Sequence, residues 1–276
     1  MTRRRFLKLA LGAVGSAGLT ALAGAGYARF VEPSWPKLEQ ISLPVAGLPH
    51  HLDGFTMIQL SDLHRGPDVT EADLADAAGR AADLAADVAV LTGDYVSGSA
   101  EYVPSCAQAI STLATAHQTI ACLGNHDHWT DAERVSGALR DAGITVLRNA
   151  AREVADGLWI AAVDDVWEKY ADLDETLEAV PAGATVVLLA HEPDSADQIA
   201  TDGRVAAQLS GHSHGGQIDL PLIGPPVLPH LGQKYPAGRY KVHNMWLYVN
   251  RGIGLIAPPV RLNCRPEVTH LTLRAT

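Results

Sequence analysis

Thr119-Ile120-Ala121-Cys122-Leu123-Gly124-Asn125-His126-Asp127 is an apolar run that stops on a glycine and passes at once into side chains able to bind cations or move protons. A short β-rich run bounded by Gly reads as a strand, and the polar residues after it as a loop at the strand's carboxyl end. The same design recurs on both sides. Upstream, Phe55 to Leu60 leads into Ser61-Asp62-Leu63-His64-Arg65-Gly66-Pro67, and Val88 to Thr92 leads into Gly93-Asp94. Downstream, Val186 to Ala190 ends on His191, and Ala206 to Ser210 leads into Gly211-His212-Ser213-His214-Gly215-Gly216-Gln217. Five of the 12 histidines lie in these loops. Any one fragment is ordinary: an Asp-x-His tripeptide occurs by chance, a Gly-Asp pair makes turns, and a lone His after a strand packs in many cores. Together, all following apolar runs in one chain, they leave turn chemistry little to explain.

Helices fill the intervals. Thr70 with Asp73 forms a capping box for a helix through about Ala86. Further helices are predicted near Ser105 to Ala116, Asp131 to Ala142 and Asp194 to Ala200. A strand at Thr145 to Leu147, a hairpin around Asp156-Gly157 leading into Leu158 to Val163, and strands at Trp246 to Val249 and Val268 to Leu273 complete the pattern. The alternation predicts an α/β fold whose carboxyl-end loops build a site. With 276 residues, 47% hydrophobic and 19% charged, the chain has the profile of one globular unit, and collagen-like, disordered and disulfide-scaffold classes are excluded. Cys106, Cys122 and Cys264 lack metal-pair spacing and read as buried small hydrophobes.

The formal charge is −10, and the first thirty residues carry Arg3, Arg4, Arg5, Lys8 and Arg29 with no acid, leaving −15 for the remainder. So acidic a body is not that of a sequence-independent nucleic-acid binder, and no nucleic-acid binding is expected. Arg3-Arg4-Arg5-Phe6-Leu7-Lys8, followed by an uncharged Ala/Gly/Leu run from Leu9 to Tyr27, has the layout of an export signal. It resembles the twin-arginine type. Residues 1–30 are therefore read as that signal or as an N-terminal anchor, and 31–276 as the functional domain. The export machinery is the implied partner, and the destination is across the cytoplasmic membrane, in the periplasm or cell wall.

The series Asp-x-His, Gly-Asp, Gly-Asn-His-Asp, His, Gly-His-x-His resembles the signature of the calcineurin-like metallophosphoesterase superfamily from about Asp62 to His214. The Gly-His-Ser-His-Gly-Gly-Gln stretch, Val163-Asp164-Asp165, the twin-arginine start and the Pro258-Pro259-Val260-Arg261 to Pro266-Glu267 tail resemble its exported bacterial phosphodiesterase branch, of the YkuE and YaeI type. The resemblance implies two mixed β-sheets packed as a sandwich, flanked by helices. It also implies two divalent metal ions: Asp62, His64, Asp94 and His214 on the first, Asp94, Asn125, His191 and His212 on the second, with Asp94 bridging. An imidazole and carboxylate donor set suits Mn, Fe or Zn, and the absence of thiolates from it argues against softer metals. The implied reaction is hydrolysis of a phosphodiester or pyrophosphate bond by a metal-bridging hydroxide.

His126 is the candidate to protonate the leaving oxygen. Asp127, His128, Arg65 and Asp164 are weaker candidates for orienting a ligand or contacting substrate. Ser213 is not read as a nucleophile, because the implied reaction attacks phosphorus directly with water and needs no protein nucleophile. Ile218 to Gly232, apolar and proline-rich, starts directly after the last ligand loop. The sequence leaves two readings open: a loop packed on the sheet, or an apolar lip for a lipid-linked substrate, a membrane or the cell wall. An exported metal- or wall-binding module with little turnover is the alternative to an enzyme, and the complete ligand set weighs against it.

Overall fold

A computed structural model of the chain describes residues 2–276, residues 6–17 by their backbone alone. The part of the expected signal that falls on Met1 and on those side chains lies outside the described residues. The strands are β1 (Lys37–Val45), β2 (Thr56–Leu60), β3 (Val88–Thr92), β4 (Thr119–Cys122), β5 (Thr145–Val146) and β6 (Ala150–Ala155). They continue with β7 (Leu158–Ala162), β8 (Thr185–Leu189), β9 (Ala207–Ser210), β10 (Gly238–Val242), β11 (Met245–Val249) and β12 (Glu267–Ala275). One six-stranded sheet runs β1-β12-β2-β3-β4-β5 and the other β10-β11-β9-β8-β7-β6. Both are mixed: β12 with β2, β10 with β11, and β6 with β7 are antiparallel, and the other pairs parallel. The expected sandwich is what is observed.

Residue alternation explains the continuous apolar runs. In β3, Val88 and Val90 enter the core between the sheets while Ala89 and Leu91 face the helices outside. In β8, Val187 and Leu189 point inward, and Val186 and Leu188 outward. Strands covered on both faces have no polar side to show, so they read as unbroken hydrophobic stretches. Helices α2 (Glu71–Ala82), α3 (Val103–Ala116) and α5 (Ala132–Asp141) cover the first sheet, and α6 (Leu173–Leu177) and α7 (Ala196–Asp202) the second.

Some boundaries differ from the reading above. The capping box of α2 is present, with Thr70 accepting from Asp73 N, but the helix ends at Ala82 instead of Ala86. Asp87 ends the connection by accepting from Thr56 N and Oγ1, which draws the chain into β3. Asn125–Thr130 is a short helix, α4, and not a loop, because the Asp127 carboxylate caps it through Gly124 N. The edge strands β1 and β10 went unread: both are largely polar and half-exposed, so they lack the apolar run that marks the inner strands.

The N-terminal helix α1 (Arg3–Gly26) carries Leu19 and Leu22, each 72% exposed. Among the described residues, no helix is long and apolar enough to cross a membrane. Among the described residues the first buried side chain is Ala28, just ahead of the expected boundary at residue 31. Buried Ala28 accepts from Arg261 N, and the buried Glu32 carboxylate from Cys264 N.

Candidate metal centre

Every loop that carries a ligand type opens at the carboxyl end of an inner strand, three in one sheet (β2, β3, β4) and two in the other (β8, β9), and the sandwich brings these ends together. Asp62, His64, Asp94, His212 and His214 all hold left-handed backbone, with φ of 50°, 47°, 58°, 71° and 52°. Non-glycine residues avoid that region, and such strain gathers at functional sites. Glycines allow the close approach: a Cβ on Gly124 would lie 2.4 Å from Asp94 Oδ1, and one on Gly211 2.3 Å from Asp62 Oδ2.

Three buried or half-buried groups could each hold a metal ion: Asp62 with His64 and His214, His64 with Asp94 and His126, and Asp94 with His191 and His212. His214 Nε2 lies 2.9 Å from His64 Nε2 and 3.3 Å from Asp62 Oδ1. Asp94 Oδ2 lies 3.5 Å from His64 Nε2 and 3.1 Å from His191 Nε2, so one oxygen faces both ends of the cluster. The other, Oδ1, accepts from His126 N at 2.9 Å.

Neighbours fix which imidazole nitrogen points inward. His64 Nδ1 is 2.6 Å from Ser97 Oγ, and His191 Nδ1 donates to Thr92 O at 2.6 Å. His212 is turned the other way, with Nε2 donating to His230 O at 2.7 Å, which frees Nδ1. Hydrogen bonds of this kind commonly set tautomer and ring orientation around a metal. Among the described residues Asn125 Oδ1 is buried without a hydrogen-bond partner, and His191 Nε2 faces Asp94 Oδ2. Burial lifts the Asp62 carboxyl to about 7 against the pull of His191. It drives His64 and His212 down to about 3, and His214 well below its ordinary value. For Asp94 the cost of burial is outweighed by His191, which holds the carboxylate well below its usual range, and Asp94 in turn pushes His191 up. Three imidazoles held neutral, His64, His212 and His214, beside the ionised Asp94 and the orphaned Asn125 oxygen fit a hard or borderline divalent cation.

The weaker candidates divide. Among the described residues the hydrogen bonds to the Asp127 carboxylate come from the backbone. It takes the backbone N–H of Asp94 (2.9 Å), Tyr95 (2.8 Å) and Gly124 (3.0 Å), clamping two ligand loops together. Arg65 is spent on the fold, donating to Ser105 Oγ, Gly66 O and Val69 O and lying over Tyr102. His128 and Asp164 pair with each other at 2.8 Å, and Arg148 closes on Asp164 at 2.7 Å, a rim cluster beside the site. His126 is half-buried, its ring edge-on to His64 at 4.7 Å and 4.8 Å from Trp129. It borders a cleft of about 470 Å³ lined also by His64, Pro67, Trp129, Leu255 and Ile256.

Residues 55–216 match the family model described as Calcineurin-like phosphoesterase. The chain belongs to the calcineurin-like phosphoesterase family. This metallophosphoesterase is 37% identical to the uncharacterized metallophosphoesterase YkuE of Bacillus subtilis, over 100% of the chain and 99% of that protein. It is 33% identical to the phosphodiesterase YaeI of Escherichia coli, over 99% of both. A transmembrane protein with metallophosphoesterase domain from Danio rerio is 30% identical over 92% of the chain, which spans 60% of that protein. Membership makes the chain a hydrolase of phosphate esters.

Sequence reading missed the metallophosphoesterase's supporting layer. Ser97, Thr92 and His230 act on the ligand histidines, two of them through backbone carbonyls that no side-chain motif reveals. The loop after β11 is pressed onto Asp62, with Ile253 N donating to Ser61 O and Gly254 N to Asp62 O. Fully buried Arg261 holds that loop through the carbonyls of Arg251, Gly252, Gly254 and Cys264. The Gly252-Ile253-Gly254 spacing and the Pro258-Pro259-Val260-Arg261 stretch are its signals in the sequence.

Proposed function

We propose that the protein is an exported phosphodiesterase that works with two divalent cations, Mn, Fe or Zn. Asp62, His64, Asp94 and His214 would hold the first and Asp94, Asn125, His191 and His212 the second. The observation that carries this reading is the position of Asp94 Oδ2 between His64 Nε2 (3.5 Å) and His191 Nε2 (3.1 Å), where one carboxylate serves both ligand groups. Bound cations would acidify a water and neutralise charge on the phosphate. The protein's own part is to hold those donors in strained loops and to present His126 to the cleft. There its ring can give a proton to the departing oxygen, while Trp129, Leu255 and Ile256 exclude water from one side of the substrate.

The substrate is a phosphodiester or pyrophosphate of the cell envelope, reached by twin-arginine export. The basic start of the chain supports that route, and the apolar cleft wall supports a substrate with a lipid part. The test is hydrolysis of bis(p-nitrophenyl) phosphate by EDTA-treated protein with and without added Mn²⁺. Turnover restored by the metal is expected. Equal, negligible rates in both would overturn the reading and leave a binding module.

A further inference from the structure

Ile218 to Gly232 does not pack wholly onto the sheet. Leu222 is 108% exposed and Ile223 76% at the tip of a tight turn closed by Gly224 N donating to Leu220 O, and Val227, three residues beyond it, is 75% exposed. The turn is anchored at its base. Ile218 pairs with Leu262, Asp219 N donates to Leu262 O, and Arg261 N donates to Ala28 O. Three backbone segments thus lie side by side, placing the base of the turn about 10 Å, two strand spacings, from the stem that leaves α1. That stem exposes its own large apolar side chains: Phe30 at 71%, Val31 at 49% and Trp35 at 53%.

Each patch is joined to the cleft at the metal centre through a neighbour that lines it, Asp68 for the stem and Ile256 for the turn. Arg29 of the stem pairs with Asp68 on one edge of the cleft, and the Gln217 amide holds Ile256 and Pro258 on the other. Scattered exposed hydrophobics need no explanation, but a group of them tied together beside a cleft does.

We propose that the stem 27–35 and the turn 220–227 form one surface that seats the domain on a lipid bilayer, with the cleft opening beside the headgroups. This rests on the phosphodiesterase reading for the cleft's role, not for the seat itself. Two features select a bilayer over a protein partner. An uncharged helix with a basic start, Arg3 to Lys8, rises from this same surface with Leu19 and Leu22 unburied, so a partner would have to accommodate it. Trp35 lies under the Arg265 guanidinium at 3.9 Å, and such an amphipathic pair suits the headgroup layer.

The test uses the full chain, whose three cysteines are buried and shielded from labelling. An environment-sensitive fluorophore is attached to Leu222→Cys, Val31→Cys or, as control, Ala182→Cys in the exposed turn ahead of β8. Vesicles of phosphatidylcholine and phosphatidylglycerol are prepared with and without a lipid-borne quencher. Quenching at 222 and 31 but not at 182 is expected. Equal quenching at all three positions, none at 222, or burial of the label by self-association before vesicles are added would overturn the proposal. In parallel, Leu222→Asp/Ile223→Asp should lower kcat/KM on vesicle phosphatidylglycerol at least about tenfold, since buried methylenes become charged groups, with bis(p-nitrophenyl) phosphate unaffected. Inactivity of the unmodified protein on both substrates would refute the phosphodiesterase reading while the quenching result still decides the seat.

Discussion

Asp94 divides its carboxylate between two tasks, Oδ2 toward His64 and His191, and Oδ1 on the backbone N–H of His126. The hydrogen bond anchors His126 by its main chain, and its ring borders the cleft between His64 and Trp129, outside both proposed ligand sets. A residue held in this way can be truncated without removing a donor from either proposed metal. His126→Ala should therefore retain metal and lose about 10² to 10⁴-fold in kcat on alkyl phosphodiesters, the range for general acid-base catalysis. Nitrophenyl esters, whose leaving group needs no proton, should lose much less. Steady-state rates on both substrate kinds check this, and equal damage to both would remove the acid role. At this scale the donor residues were legible, because Asp, Asn and His after apolar runs announce themselves. Their supports were not: Thr92 O and His230 O act through main-chain atoms that every residue possesses.

Elements matter here through their ends. The apolar interiors of β2, β3, β4, β8 and β9 are covered on both faces, which is why the sequence marks them clearly and why their carboxyl-end loops could be read as one site. The polar edge strands β1 and β10 and the short α4 carry no such mark, since tertiary pairing and a single Asp127 cap form them. At the end of α4, His128 meets Asp164, which also holds Arg148. Asp164 is lowered to about 2: burial raises it, and hydrogen bonds from His128 and Arg148 outweigh that. His128 is raised, its burial outweighed by Asp164. A lowered carboxylate stabilises the fold above its unfolded value and loses that contribution as pH falls through its folded one; a raised imidazole stabilises below its unfolded value and loses it as pH rises. The stability gap between the wild type and Asp164→Asn should thus be widest from about pH 4 to pH 6.5. It should narrow on both sides, retaining above that range the part due to Arg148. Denaturant melts across pH check it, and a gap that does not change with pH would show that the pair carries no charge.

On the scale of the whole molecule, two sheets of like build meet so that loops from both converge on one edge, and neither sheet alone supplies both proposed ligand sets. The first set draws Asp62, His64 and Asp94 from one sheet and His214 from the other; the second draws Asp94 and Asn125 from one and His191 and His212 from the other. The order of elements made an α/β fold with carboxyl-end loops readable and the family resemblance implied the sandwich, but the pressing of the β11 loop onto Asp62 and the grip of Ala28 and Glu32 on the 261–264 segment emerge only in three dimensions. Because Asp94 alone belongs to both sets, the most direct measurement is metal content per chain, by elemental analysis, of the purified protein and of Asp94→Asn after equilibration with Mn²⁺. Two ions per chain are predicted for the wild type, and a marked loss, with activity on bis(p-nitrophenyl) phosphate falling alongside, for Asp94→Asn. A wild type that binds one ion or none, or an Asp94→Asn protein that keeps two ions and full activity, would contradict the account.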